Sequence, residues 1–183
     1  GAVINYGEIK IKSNFENSLS WGQISTTSSE DIKENSLYNY GNIDIDSTIQ
    51  AIGQSISSTS VNSQIYNYGI INTEADTSIG QVGSGASTSI HNYGQIRVKG
   101  ETQDTAGMKI TDGAKGFNYG IIEVDNKDLT IENMGTGMWA DGKDSEAFNY
   151  GSIVVTGLTG TVENGMDTAY MRATNGGKVY NYG

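Results

Sequence analysis

The chain contains no cysteine, no proline and a single histidine among its 183 residues. Without cysteine, neither a disulfide scaffold nor a thiolate metal site can form. One histidine leaves little from which to build a Ser-His-Asp triad, and the sequence has no Gly-x-Ser-x-Gly elbow. These absences exclude a disulfide-rich fold and argue against a nucleophilic hydrolase.

Positive charge and long apolar runs are also scarce. Eleven Lys and Arg face 21 Asp and Glu, which gives a net charge of −10. Because such a chain repels phosphate, we expect no nucleic-acid partner. No run of about 18 apolar residues and no basic-then-apolar leader occurs, so we expect a soluble segment with no direct membrane insertion and no signal peptide.

The tripeptide Asn-Tyr-Gly returns throughout the chain, and such self-similarity is the signature of a repeat fold. The glycines of successive copies are 34, 28, 25, 26, 31 and 32 residues apart. Six repeats therefore lie between seven copies, whose asparagines are Asn5, Asn39, Asn67, Asn92, Asn118, Asn149 and Asn181.

Each repeat contains short strand patterns and no helical periodicity. Each glycine is followed by one variable position and then by two apolar residues in alternate positions, such as Ile43 and Ile45. This pattern indicates a strand with one buried face. Further apolar positions lie two residues before each later asparagine, as at Leu37 and Ile65, and in mid-repeat stretches such as "SWGQIS", "AIGQSI" and "GMWADG". Gly, Ser, Thr, Asn and Asp, which favour turns, fill the intervals.

We therefore predict an all-β, right-handed parallel β-helix of about six coils of 25–34 residues, with residues 1–183 forming a single β-helix segment. A four-stranded propeller blade needs about 40 residues per repeat, and a leucine-rich repeat needs a leucine ladder that is absent. Stacked coils place equivalent residues about 4.8 Å apart. The seven asparagines are then expected to form a hydrogen-bonded structural ladder at a corner that the glycine makes possible.

Alternation turns the tyrosine of each corner outward, together with a second ring two positions earlier. Two columns of rings are predicted along one edge of the helix. The first reading is that they shield the corner, and the second is that they form a platform for sugars or proteins. The candidate ligand surface comprises Tyr40, Tyr68, Tyr93, Tyr119 and Tyr150, and Trp139 is expected to be a surface residue that marks a contact patch.

Stacking also predicts charge pairs between successive coils, at Lys10/Asp44, Lys12/Asp46, Glu74/Lys99, Arg97/Glu123 and Lys99/Asp125. Asp44 and Asp46 are the best candidate carboxylate pair for glycoside chemistry, but a neighbouring lysine opposes the raised pKa of a general acid. His91 replaces a ring in a column, so we interpret it as packing. Six aspartates in or near turns could bind calcium weakly, but solvated turns are the preferred interpretation. These aspartates are Asp104, Asp112, Asp125, Asp128, Asp141 and Asp144. We expect no catalytic, metal or cofactor site in the chain.

The Asn-x-Gly-x-Ile-x-Val strand, recurring with "GM" or "GMWADG" in mid-coil, resembles the passenger repeats of type V autotransporter adhesins, particularly the fusobacterial kind. The resemblance covers the whole chain. It implies a right-handed β-helix exported to the bacterial cell surface, outside the outer membrane, with a role in adhesion, coaggregation or virulence. The absence of a signal peptide and barrel suggests an excised part of a longer passenger.

Three functions remain in competition at this point, the third of them a toxin or protease passenger. The resemblance favours an adhesin segment that acts as a stalk or spacer and binds a host-cell or bacterial surface glycan or protein. The alternative is a polysaccharide-active β-helix enzyme or a tailspike-like protein. Open strand edges at both ends also suggest end-to-end association of the fragment.

Overall fold

The computed structural model describes residues 1–26, 34–58, 62–102, 104–126, 135–156 and 170–183. No α-helix occurs in these ranges, which contain nineteen strands. In chain order the strands are β1 (Ala2–Asn5), β2 (Glu8–Lys12), β3 (Leu19–Thr26), β4 (Glu34–Asn39), β5 (Asn42–Asp46), β6 (Gln50–Ser57), β7 (Asn62–Asn67), β8 (Ile70–Glu74), β9 (Thr77–Ser84), β10 (Thr88–Asn92), β11 (Gln95–Gly100), β12 (Ala106–Thr111), β13 (Lys115–Asn118), β14 (Ile121–Asn126), β15 (Thr136–Asp141), β16 (Glu146–Asn149), β17 (Ser152–Thr156), β18 (Met171–Thr174) and β19 (Lys178–Asn181).

Three parallel sheets run along the axis of the molecule. Sheet A has the order β1-β4-β7-β10-β13-β16-β19, sheet B the order β2-β5-β8-β11-β14-β17, and sheet C the order β3-β6-β9-β12-β15-β18. Each coil contributes one strand to every sheet, and each strand pairs with the equivalent strands of the coils before and after it. These observations confirm the predicted all-β parallel β-helix.

The register between coils follows the tripeptide. Asn5 lies opposite Asn39, Asn39 opposite Asn67, and the same alignment continues to Asn181. Differences in repeat length fall between the strands: six residues separate β2 from β3, but only three separate β5 from β6. Insertions are tolerated there because they leave the stacked strands aligned.

The core lies between the three sheets and is built from columns of identical or similar side chains. Ile43, Ile71, Ile96 and Ile122 are fully buried in sheet B, and Leu37 leads an equivalent column in sheet A. Period-two alternation places these residues inward and their neighbours outward, as the sequence predicts. Branched side chains of one kind pack closely when they repeat at the rung spacing.

Sheet C holds a polar column inside the core that the sequence reasoning missed. Gln54 Nε2 donates to Gln23 Oε1 at 2.7 Å, and Gln81 Nε2 donates to Gln54 Oε1 at 2.9 Å. The next residues in the column are Met108 and Met138. The signal was present in the sequence, because each of the three glutamines directly follows the glycine of a mid-coil stretch.

Candidate functional site at the Asn-Tyr-Gly corner

The seven asparagines form one continuous ladder. Each Nδ2 donates to the Oδ1 of the asparagine in the next coil at 2.8 Å, from Asn5 to Asn39 through Asn149 to Asn181. The side chains of Asn39, Asn67, Asn92 and Asn118 are fully buried. The same amides donate to backbone oxygens of the next coil, as Asn92 Nδ2 does to Ile121 O at 3.3 Å. The ladder therefore joins sheet A to the start of sheet B in every coil.

The glycine of the tripeptide is required by the close approach of successive corners. A Cβ on Gly94 would overlap the carbonyl oxygen of Gly69, and a Cβ on Gly120 would overlap that of Gly94. Backbone amides of the corner bond the preceding coil, as Gly94 N does to Asn67 O at 3.0 Å. Only a residue without a side chain leaves room for this spacing.

The tyrosines of the corner form the outer column, which we define as Tyr6, Tyr40, Tyr68, Tyr93, Tyr119, Tyr150 and Tyr182. Neighbouring ring centroids are 4.8–5.1 Å apart, and the ring planes differ by only 5–10°. This is an offset stack, the arrangement that aromatic quadrupoles prefer. Each ring between the two ends of the column is therefore covered on both faces by its neighbours.

A second stack, the inner column, comprises Tyr38, Tyr66, His91, Phe117, Phe148 and Tyr180. Its centroid spacing is also 4.8–5.1 Å. Rings of the two columns within one coil are 6.2–6.5 Å apart. Burial lowers the pKa of His91 to about 4, so its ring is neutral at physiological pH and packs as the sequence reasoning expects.

The outer column exposes ring edges and hydroxyl groups to solvent. Its five central tyrosines are 43–46% exposed, whereas Tyr6 and Tyr182 are 76% and 63% exposed. A sugar that stacks on an aromatic ring needs a free ring face, and in the centre of the column neighbouring rings occupy those faces. A ligand of this column would therefore contact a line of edges and hydroxyls. Burial, with a contribution from neighbouring phenols, raises the pKa of Tyr68 and Tyr93 and keeps them neutral.

The outer face of sheet B carries the predicted charge pairs. Three of them form ion pairs between coils: Lys12 to Asp46 at 3.2 Å, Arg97 to Glu123 at 2.6 Å and Lys99 to Glu74 at 3.5 Å. The other two pairs are in the predicted register, Lys10 opposite Asp44 and Lys99 opposite Asp125. Asp44, however, accepts a hydrogen bond from Asn72 Nδ2. All these groups are partly exposed, so each pair contributes little stability.

The same face of sheet B forms an open trough of about 600 Å³. Its lining includes Asp44, Asp46, Glu123 and Asp125, the carboxylates that a glycoside-cleaving enzyme would need. The carboxylates of Asp46 and Glu123 form ion pairs with Lys12 and Arg97 of the adjacent coils. Ion pairing of this kind opposes the protonated form that a general acid requires.

Trp139 does not lie on an exposed patch, and that expectation is wrong. Its side chain is only 9% exposed. The Lys109 ammonium lies 4.2 Å from the ring centroid on one side and the Arg172 guanidinium 4.8 Å on the other. The indole Nε1 donates to Thr174 Oγ1 at 2.7 Å, and this hydroxyl donates to Asp141 Oδ1. The long cationic side chains of the two adjacent coils cover the ring, so it packs between its own coil and those two.

Three of the turn aspartates bond protein groups in the structure. Asp112 Oδ2 accepts from Ser84 Oγ, Asp104 Oδ1 pairs with Lys109, and Asp141 Oδ1 accepts from Thr174 and Asn175. Asp128 lies outside the described residues. Within the ranges that the structure describes, no group of three or more His, Asp or Glu is placed to hold a metal ion, and no helix is long and apolar enough to cross a membrane.

Comparison with known proteins gives one match. A family model described as the BigA third pectate lyase-like domain covers residues 1–183. No curated protein and no solved structure shows significant similarity to the chain. The match agrees with the β-helical coils and with the expectation of a surface protein. The chain therefore belongs to the family of BigA third pectate lyase-like domains, the domains of a bacterial surface adhesin-like protein.

Proposed function

We propose that the chain is a stalk or spacer segment of a bacterial autotransporter adhesin, exposed outside the outer membrane and without a catalytic centre. The observation that carries this proposal is the unbroken register of the asparagine ladder from Asn5 to Asn181. Six rung steps of about 4.8 Å make a rod about 29 Å long. Family membership supports the surface location.

The rod itself can be measured because the chain has no native cysteine. Glu8 and Ser152 begin the first and last strands of sheet B in equivalent positions, five rungs or about 24 Å apart. Spin labels on Glu8→Cys and Ser152→Cys should give a narrow pulsed-EPR distance distribution centred near that length plus the label linkers. A broad distribution would contradict a stiff spacer.

A binding function for the outer column is a second candidate, which its line of exposed hydroxyls favours. The partner would be a host-cell or bacterial surface glycan or protein that contacts ring edges. We would probe glycan and host-protein arrays with the chain and with a Tyr93→Ser, Tyr119→Ser variant. No binding by either protein supports the spacer, binding by the parent alone supports the outer column, and equal binding by both places the ligand elsewhere and contradicts a pure spacer.

The alternative is an enzymatic role for the trough of sheet B, and the ion pairs formed by its carboxylates do not favour it. If the chain is not an enzyme, incubation with polygalacturonate, with and without calcium, releases no unsaturated product and no reducing ends. Product release that disappears in an Asp44→Asn, Asp46→Asn variant would overturn the proposal. A Lys10→Gln, Lys12→Gln variant is the matched control, since it changes the residues paired with Asp44 and Asp46 on the neighbouring strand β2 without removing carboxylates.

End-to-end association of the fragment remains a further proposal. The last coil leaves an opening of about 710 Å³ lined by core residues that include Ile153, Met171 and Val179. Tyr170 occupies the column that Gly137 holds in the coil below, and its side chain opposes regular stacking of a second copy. Sedimentation velocity should therefore show stronger association for Tyr170→Gly than for the parent chain. Equal sedimentation of both would contradict this role of Tyr170.

A further inference from the structure

The outer column contains tyrosine in every coil, although stacking alone does not require it. The inner column shows what packing at the same rung spacing accepts, because Tyr66, His91 and Phe117 stack there at 4.9 Å. Phe117 and Phe148 stack equally well at 5.0 Å without a hydroxyl. Packing therefore explains an aromatic ring in the outer column but not seven phenols. The outer column differs from the inner one in that it exposes a phenol in every coil.

A phenol can also undergo reversible one-electron oxidation. A phenol gives up an electron and a proton together to form a neutral phenoxyl radical, whereas a phenylalanine ring has no O–H to lose and is far harder to oxidise. Neighbouring rings of the outer column are 4.8–5.1 Å apart at their centroids and nearly parallel. Transfer of an electron from a tyrosine to an adjacent tyrosyl radical converts one identical side chain into the other, so the free energy of the step is close to zero. The steps of the column are therefore short, and its five central tyrosines share nearly the same exposure.

Solvent contact supplies the proton path at each ring. The central tyrosines are nearly half exposed through their edges and hydroxyls, so a proton can leave to water and return from water at every step. In the inner column His91 and Phe117 interrupt the series of phenols between Tyr66 and Tyr180. Transfer along the axis is confined to the outer column.

We propose that the outer column carries oxidising equivalents along the β-helix as migrating tyrosyl radicals. A one-electron oxidant removes an electron from one tyrosine, whose hydroxyl proton passes to water. The radical then takes an electron from the next tyrosine and a proton from water, while that tyrosine releases its own proton. Two radicals that meet end the process by forming a carbon–carbon bond between their ortho positions, after which each ortho carbon loses its proton and the phenolic oxygen of the same ring regains one. With hydrogen peroxide and a haem peroxidase as oxidant, two phenols and one peroxide give one dityrosine and two waters.

This activity does not depend on the stalk function, but it fits a segment that oxidants can reach from outside. Met108 and Met138 are fully buried in the core, and their oxidation to sulfoxides would disrupt the packing of sheet C. An oxidising equivalent that moves along the surface column and ends as dityrosine does not reach them. The column would act as a sacrificial path that protects the core.

The test starts the radical at one end and reads where it arrives. A ruthenium trisbipyridyl sensitiser is attached at Glu8→Cys, beside the exposed Tyr6, and is flashed with a cobalt(III) amine as electron acceptor in the presence of a nitroso spin trap. Peptide mass spectrometry then locates the trapped tyrosines. We expect adducts at Tyr119 and Tyr150 as well as at Tyr40 and Tyr68. Adducts confined to Tyr6 and Tyr40 would overturn the proposal.

Two blocking variants and one control make the result specific. Tyr93→Phe keeps the stack but removes the phenol, so adducts at Tyr119 and Tyr150 should fall several-fold while those at Tyr68 persist. Tyr66→Phe is the matched control in the inner column and should leave the pattern unchanged. Tyr119→Phe moves the block one coil further and serves if Tyr93→Phe fails to fold, as judged by circular dichroism. An unchanged adduct pattern in a folded blocking variant would refute migration along the column.

Discussion

Asn92 in the centre of the ladder gives the sharpest test of the stacked architecture. It accepts from Asn67 Nδ2 at 2.8 Å and donates to Asn118 Oδ1 at 2.8 Å, and its side chain is fully buried. Asn92→Ala removes both bonds and leaves a buried oxygen of Asn118 without its ladder donor. Two hydrogen bonds at about 1 kcal/mol each, with a further 1–3 kcal/mol for the unsatisfied oxygen, predict a loss of about 3–5 kcal/mol in the free energy of unfolding.

Asn181→Ala is the control at the end of the same ladder. Asn181 is exposed and accepts one ladder bond from Asn149. Water can replace that bond, so the free energy of unfolding should fall by about 1 kcal/mol or less. Urea denaturation followed by far-ultraviolet circular dichroism measures both variants. Equal losses at the two positions would refute the claim that burial within a continuous ladder sets the energy.

Asn92→Asp adds a pH dependence whose sign follows from the same geometry. A carboxylate at this position accepts from Asn67, but it faces two further acceptors, Asn118 Oδ1 and Ile121 O. Burial and these acceptors raise the pKa of the introduced carboxyl in the folded state. Stability is then lost as pH rises from the unfolded pKa through the folded pKa, and is regained on acidification. Measured against Asn92→Ala at each pH, the deficit of Asn92→Asp should shrink between pH 7 and pH 4; a constant deficit would count against the ladder.

Five further substitutions, in three tests, probe other positions, with stability measured in the same way. In the unfolded chain His91 binds a proton below about pH 6.5, but in the folded protein its pKa is about 4. Acidification to pH 4 should therefore lower the free energy of unfolding by about 3 kcal/mol, and His91→Phe should abolish this loss. Parallel pH profiles for the two proteins would contradict this prediction. A methyl group on Gly80 would overlap an isoleucine and lie 2.6 Å from a backbone oxygen of the next coil, whereas a methyl group on Gly7 would meet open space. Gly80→Ala should therefore lower the free energy of unfolding by about 3 kcal/mol, and Gly7→Ala should leave it almost unchanged. Gln54→Met removes two ladder bonds and leaves Gln23 Oε1 without its ladder donor, although the Gln81 amide keeps its bond to His91 O. Gln81→Met removes one ladder bond and also an oxygen that already lacks a partner, so Gln54→Met should lower the free energy of unfolding by about 2 kcal/mol more. The reverse order would count against the ladder.

The columns at the corner could be predicted from sequence because translation along one axis leaves little freedom. Once Asn39 lies over Asn5, the residues around it are fixed in register and in facing. The charge pairs show where that argument ends. Lys99 has Glu74 on one side and Asp125 on the other, both one rung away. Register brings both carboxylates within reach, and only the chosen side-chain conformation decides that Glu74 is bound.

Trp139 shows a second limit of sequence reasoning. Period-two alternation from the buried Met138 places Trp139 on the outer side of sheet C, but a side chain on the outer side is not always exposed. Lys109 and Arg172 occupy the same column in the adjacent coils, and their long side chains reach over the ring from both sides. Aligning "AGMKIT", "GMWADG" and "AYMRAT" residue by residue reveals this column, so the signal was available. In a stacked fold, exposure depends on the neighbours one rung away as much as on facing.

The two amide ladders of the core differ in direction, and this determines where each one ends. In the asparagine ladder every amide donates toward the C-terminal coil, and the series ends at exposed Asn181, where water can complete the hydrogen bonds. In the glutamine ladder every amide donates toward the N-terminal coil, and the series begins at Gln81, whose Oε1 is buried without a partner beside the Met108 coil. In a ladder whose amides all donate in one direction, the group at one end lacks a ladder donor for its oxygen and the group at the other end lacks a ladder acceptor for its N–H. The asparagine ladder can therefore extend through any number of coils at no added cost, whereas the glutamine ladder carries a penalty of about 1–3 kcal/mol wherever it stops inside the core.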